Sequence, residues 1–130
     1  MLEKIIYPKL SYEITGLCFK VHNQLGRFAK ERQYADALEI LLQKTKIKYQ
    51  REIAKNYKFE QANIGRNIID FLIEEKIIVE LKAKQFITKT DYRQVQRYLQ
   101  ATNSRLGLLV NFNNRYLKPK RIINYLYHSY

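Results

Sequence analysis

A chain of 130 residues can bury one hydrophobic core without disulfides or a structural metal, and residues 1–130 read as a single domain. Cys18 is the single cysteine, which excludes an internal disulfide framework and fits a reducing, cytoplasmic setting; no apolar run reaches membrane-spanning length and no signal-peptide pattern opens the chain. The 24 Lys and Arg against 12 Asp and Glu leave a net charge of +12, which suits a polyanionic partner, nucleic acid first, although a composition drifting toward Lys, Ile, Asn and Tyr gives the same excess.

The first element is a helix over 8–25. Leu10, Ile14, Leu17, Val21 and Leu25 recur at spacings of three and four, Pro8 suits the first turn, and Gly26 stands where a helix ends. His22 beside this stripe has no partner at ligand spacing and is read as a packing or capping residue. A second helix is predicted from about 29 to 44, with Tyr34, Leu38 and Leu41 inward; the same spacing carries back to Glu31 in the first turn. Glu31 there can simply complement the helix dipole, or it can reach a site as a third acid. Residues 47–53 and 57–59 read as strands around a turn at Ala54-Lys55-Asn56, with 61–65 as a loop.

The stretch RNIIDFLIEEKIIVELKAK at 66–84 organises the rest. It reads as a β-hairpin whose loop is Glu74-Glu75-Lys76, so Ile73 faces Ile77 and counting back puts Asp70 opposite Glu80. Alternation gives Ile68, Asp70 and Leu72 one face, and Ile78, Glu80 and Lys82 one face of the next strand. Two carboxylates across a strand pair repel, and among so many isoleucines a bound divalent cation is what reconciles them. Lys82 could then orient a water or neutralise charge developing on a phosphate. Beyond the hairpin, Thr88 or Thr90 caps a helix over about 91–103 with Tyr92, Val95, Leu99 and Thr102 as its packing stripe. Gln94 and Tyr98 lie beside that stripe, and Arg93 and Arg97 on an adjacent face suit phosphate contacts. LGLLVNF at 106–112 is a buried strand reached by a helical crossover; 116–130 is an edge strand or a short helix.

Helix, helix, strands, acid hairpin, helix, strand is an order that resembles the small bacterial and archaeal proteins named for a G-x-x-E-x-x-Y signature, in the PD-(D/E)XK nuclease superfamily. The resemblance runs over roughly 4–124 and rests on VHNQLG at 21–26, Glu31 with Tyr34, IIDFLI at 68–73, IVELKA at 78–83, Gln94 with Tyr98 as Q-x-x-x-Y, and LGLLVNF. The chain departs from the signature at Phe28, where the family has glycine, so the bend into the second helix must close without it. The resemblance implies an α/β fold with a restriction-endonuclease-like core, a mixed β-sheet flanked by helices. It further implies a nuclease, endo- or exo-acting on phosphodiester bonds, with DNA the expected substrate. Asp70 and Glu80 would bind Mg²⁺ or Mn²⁺ with the Leu81 carbonyl as a third ligand, and Glu31 would complete the acidic cluster. Lys82 would position the attacking water, Gln94 and Tyr98 would line the site, and Lys84, Arg93, Arg97 and Tyr98 are the nucleic-acid candidates. No membrane partner is expected, and a homodimer is left open. A fold does not fix a function, so a non-catalytic nucleic-acid-binding module or a protein-interaction subunit are the alternatives.

Overall fold

The strands at 77–82 and 106–111 are buried along their length except at Lys82, and such strands exist where both faces of a sheet are covered. A computed structural model describes residues 5–129. In chain order the elements are α1 (Pro8–Leu25), α2 (Glu31–Gln43), β1 (Tyr49–Phe59), β2 (Ala62–Ile73), β3 (Ile77–Lys82), α3 (Lys89–Thr102), β4 (Leu106–Asn111) and β5 (Lys120–Ile123). The strands form one sheet in the order β1-β2-β3-β4-β5. Only β3 and β4 run parallel, joined by the α3 crossover; the other neighbours are antiparallel. This is the mixed, helix-flanked α/β sheet that was expected.

Each face has its own core. On one, Ile14, Cys18 and Val21 of α1 and Tyr34, Leu38 and Leu42 of α2 meet Phe71, Ile73, Val79, Leu81, Leu108 and Val110. On the other, Val95, Tyr98 and Leu99 of α3 cover Ile69, Leu72, Ile78, Leu109 and Ile122. Each fully buried Leu, Ile or Phe is worth about 1.5–3 kcal/mol relative to exposure. Gly107 lets α3 approach β4: a Cβ there would lie 2.7 Å from Val95 Cγ1.

The structure corrects several expectations. Ala54-Lys55-Asn56 is no turn: β1 continues through it to Phe59, and residues 62–65, expected to be loop, begin β2. The reversal falls instead at Glu60 and Gln61, with φ of 49° and 71°. The distal ribbon is exposed on both faces, so it carries no hydrophobic period by which to recognise it. The helical stripes are rotated: Ser11, Cys18 and Leu42 are buried, while Leu25 is exposed and Leu41 half-buried. On α3 the inward positions are Asp91, Val95, Tyr98 and Leu99, with Tyr92 outside. Thr88, not Thr90, caps α3, and the tail supplies an edge strand, β5. His22 packs near Phe112, with Nε2 2.9 Å from the Asn114 carbonyl. Among the described residues, no helix is long and apolar enough to cross a membrane.

Candidate active site

The β2–β3 hairpin turns through Glu74 and Glu75, at φ of 53° and 56°, with the Lys76 N–H donating to the Ile73 carbonyl at 2.9 Å. Positive φ at both central residues is what a tight hairpin turn needs to match strand twist. The ladder then runs Ile73↔Ile77, Leu72↔Ile78 and Phe71↔Val79, which puts Asp70 opposite Glu80 as the count predicts. There the ladder stops. The Asp70 N–H donates to Glu80 Oε1 at 2.8 Å, and the Leu81 N–H donates to Asp70 Oδ2 at 2.9 Å. The strands part, and each carboxylate takes up a backbone donor that the ladder has released.

The other side of β2 breaks at the same level. Arg51 pairs with Phe71 and Ile53 with Ile69, but Glu52, between them, sits at φ 53°. Past this point the faces exchange: Phe71 belongs to the α1/α2 core, whereas Ile69 and Ile53 pack on the α3 side. Strict alternation would have kept residues 69 and 71 together. Ile68 therefore does not share the buried face of Leu72; it is 44% exposed. Asp70 marks the twist.

Burial raises the carboxyl of Asp70 above its ordinary range, with the Leu81 N–H and the Lys82 charge opposing. Glu80 is buried more completely, and burial plus the Asp70 charge lift its carboxyl well above the usual value. Lys82 follows on β3. Its Nζ donates to Gln94 Oε1 of α3 at 2.8 Å and lies 3.9 Å from Asp91 Oδ1. Asp91 is itself held by the Thr88 N–H at 2.8 Å and by Lys84 Nζ at 2.9 Å. Burial works against the Asp91 charge, but the Thr88 and Lys84 donors outweigh it and keep its carboxyl below the usual range. Lys84 is thus bonded within the protein, and Asn111 clamps its backbone in both directions, at 3.1 and 2.8 Å. Tyr98 is buried in the α3 core rather than offered to a base; burial first, then the Glu80 and Asp70 charges, push its hydroxyl to about 12. Arg93 and Arg97 are exposed on α3.

Glu31 is the first residue of α2. The connection before it closes without glycine at Phe28, which points outward at 84% exposure; Gly26 supplies the left-handed backbone instead, at φ 74°. Tyr34 fastens this bend, its hydroxyl donating to the Gly26 carbonyl and accepting the Ala29 N–H at 3.1 Å while its ring stacks on Phe112 at 4.3 Å. So held, Glu31 lines a cavity of about 310 Å³ with Arg32, Ala35, Arg51, Glu52 and Asp70. Its carboxyl is raised by burial and then by the Asp70 charge. A cavity of about 460 Å³ at the turn end of the hairpin, lined by Lys48, Gln50, Leu72 and Glu74, contains none of these groups.

Sequence reasoning missed Arg51, Asp91 and Asn111. Arg51 ties β1 to α2 through Asp36 at 2.7 Å and Glu39 at 3.0 Å. Asp91 was legible as the fourth residue of a Thr-x-x-Asp helix start, but its reach toward Lys82 and Lys84 is tertiary.

The donor set suits a hard cation in part. Asp70 and Glu80 converge with one oxygen each engaged by a backbone amide. The N–H and C=O of a strand residue point to the same edge, so the Leu81 carbonyl also faces the gap between the parted strands. Two carboxylates and a carbonyl match the few protein ligands that Mg²⁺ takes. Among the described residues, however, no three His, Cys, Asp or Glu side chains gather as a metal-holding group. Glu31 shares its cavity with Asp70, whose charge acts on the Glu31 carboxyl.

Neither a curated protein nor a solved structure matches the chain. A family model described as PD-(D/E)XK nuclease superfamily matches residues 8–123, from the start of α1 to the end of β5. With that match covering most of its length, and with the sheet and its flanking helices in the arrangement described, the chain belongs to the PD-(D/E)XK nuclease superfamily.

Proposed function

We propose that this protein is a metal-dependent nuclease that hydrolyses phosphodiester bonds, with DNA as its substrate. The observation that carries this reading is the parting of β2 and β3 at Asp70 and Glu80, where a half-buried and a buried carboxylate replace the ladder and feel the charge of a lysine bonded to a neighbouring helix. A fold built for stability alone would gain from apolar residues at both positions.

Asp70, Glu80 and the Leu81 carbonyl would hold Mg²⁺ or Mn²⁺. Bound there, the cation would supply Lewis acidity toward a phosphate oxygen and lower the pKa of water. Lys82, bonded to Gln94, would hold the water or balance charge on the phosphate as it develops. Glu31, which lines the same cavity as Asp70, would complete the acidic cluster. Arg93 and Arg97 would hold flanking phosphates.

A binding module without turnover is the competing reading, and the net charge of +12 suits it equally. The deciding experiment is cleavage of single-stranded, duplex and branched DNA by purified protein with Mg²⁺ or Mn²⁺, alongside Asp70→Ala and Lys82→Ala. Cleavage that both substitutions abolish supports the nuclease. Affinity for DNA that neither substitution lowers, with no cleavage by any form, overturns it in favour of the binding module.

A further inference from the structure

The distal half of the β1–β2 hairpin belongs to neither core. Every residue from 56 to 66 is exposed, although the backbone pairing continues from Ala54↔Ile68 out to Phe59↔Ala62. Such a ribbon shields no apolar surface, so its stability does not explain its presence. It begins next to the site: Ile53 and Ile69 are the last hairpin pair in a core, and Asp70 is the next residue. Arg51, bonded to Asp36 and Glu39 on α2, fixes the root. From Ile69 to the reversal the arm extends roughly 23 Å at about 3.3 Å per residue.

Its chemistry is that of a nucleic-acid contact. Residues 54–68 carry three cations, Lys55, Lys58 and Arg66, against one carboxylate, Glu60, which sits at the reversal. The register makes Asn56 and Arg66 cross-strand partners on one face, while Lys55 pairs with Asn67 on the other. Arg and Asn are the side chains whose paired donors and acceptors match guanine and adenine edges, and a two-stranded ribbon fits the major groove, about 12 Å wide. Phe59 and Ile64 near the tip are apolar and exposed, which alone would equally suit a second copy of the chain. Charge decides between them: a second copy brings another +12 to a cationic arm, whereas a duplex brings phosphates.

We infer that the β1–β2 arm lies in the major groove of duplex DNA, with Asn56 and Arg66 toward the base edges and Lys55 and Lys58 on the phosphates. The inference rests on the nuclease reading for its substrate class, and it assigns that substrate as double-stranded.

The test is binding rather than cleavage, so that the two readings fail separately. Fluorescence anisotropy in EDTA would follow a labelled duplex and the matching single strand. The proteins would be the wild type, Asn56→Ala/Arg66→Ala, and a form with 56–66 replaced by an Asn-Gly turn. Since the arm buries nothing, both variants should melt cooperatively near the wild-type temperature. The double variant should lose on the order of tenfold in duplex affinity, as expected for lost base contacts, and the shortened form more. The shortened form should also show a shallower salt dependence, by about 0.9 in log–log slope per phosphate contact removed. Single-strand affinity should stay within about twofold of wild type for both.

Unchanged duplex affinity in the shortened form overturns the inference, as does an equal loss on duplex and single strand. A wild type that binds no duplex overturns it too, while Asp70-dependent cleavage of single strands would leave the nuclease reading standing. A shortened form that is monomeric where the wild type is dimeric, with duplex binding intact, reassigns the arm to self-association.

Discussion

The backbone N–H of Asp70 donates to Glu80 Oε1 at 2.8 Å, so the more buried of the two acids is anchored by the main chain of the residue whose charge it opposes. The bond fixes geometry without removing the repulsion. Protons or a cation must do that, and both are measurable.

Glu80→Gln keeps the shape and the acceptor for the Asp70 amide but removes one charge. The variant should melt above the wild type at neutral pH when no divalent ion is present. Adding Mn²⁺ should raise the wild-type Tm; at a free concentration a hundred times Kd the stabilisation is about 2.7 kcal/mol, on the order of 10 °C for a domain of this size. The variant should show little of that rise. Differential scanning calorimetry with and without Mn²⁺ checks both halves, and an equal response in the variant would remove Glu80 from the cation site.

The pH dependence has a definite sign. Asp70 and Glu80 both titrate above their ordinary values of 3.8 and 4.5 in the folded chain. The native state therefore binds more protons than the unfolded one between the unfolded and folded pKa values. Their contribution to stability is present below the ordinary carboxylate range and is lost as pH rises through the folded values. The stability of wild type minus that of Glu80→Gln should fall across that window without added metal. Cation affinity should climb over the same window, because the ion displaces the proton. Urea melts over a pH series and Mn²⁺ titrations would show it; a flat difference would mean that Glu80 titrates normally.

Gln94→Ala removes the acceptor that holds Lys82 Nζ. Asp91 then becomes the nearest acceptor, 3.9 Å from the ammonium before any movement. Loss of such a supporting contact typically costs 10–100-fold in activity, so cleavage should drop by ~10-fold or more with duplex affinity little changed. Gln94→Glu should restore the position of the lysine and most of the rate. Single-turnover cleavage separates these outcomes; a Gln94→Ala enzyme with unaltered rate would leave Lys82 positioned by other means.

Tyr34→Phe tests how Glu31 is placed. The substitution deletes a hydroxyl that joins the Gly26 carbonyl to the Ala29 amide, while the stack on Phe112 survives. Both backbone groups are at most half-buried, so water can replace part of the bond and the loss is about 1 kcal/mol, visible as a lower urea midpoint with unchanged m-value. Hydrogen exchange should report faster opening at residues 26–31, and no change there would assign the bend to other contacts.

Much of this was readable from local pattern. The register of the acid hairpin followed from a turn at 74–76 and period-two alternation, and the structure has Ile73 opposite Ile77 as that count requires. Buried strands at 77–82 and 106–111 stood out as short apolar runs. What failed was whatever lacked a hydrophobic period or depended on distant neighbours. The exposed ribbon beyond Ile53 breaks up in the sequence into a turn at 54–56, a short strand at 57–59 and a loop at 61–65, because no buried face gives it a period. The exchange of faces at Asp70 is invisible to alternation, which assumes a regular strand without the irregularity at Glu52. Helical spacing places Tyr98 beside the packing stripe, whereas the structure buries it within the stripe, where the Glu80 and Asp70 charges act on its hydroxyl.

The parallel pair has a consequence for the order of assembly. Asp70 and Glu80 lie within one local hairpin, and their encounter requires closing only a short loop. Lys82 and Gln94 are scarcely further apart in the chain, but α3 also rests on β4, where Val95 lies over Gly107. β4 in turn is held by its parallel pairing with β3, a nonlocal contact of the kind that slows folding. The carboxylates are thus set by a local turn, whereas the lasting seat of the ammonium draws on the far side of the crossover.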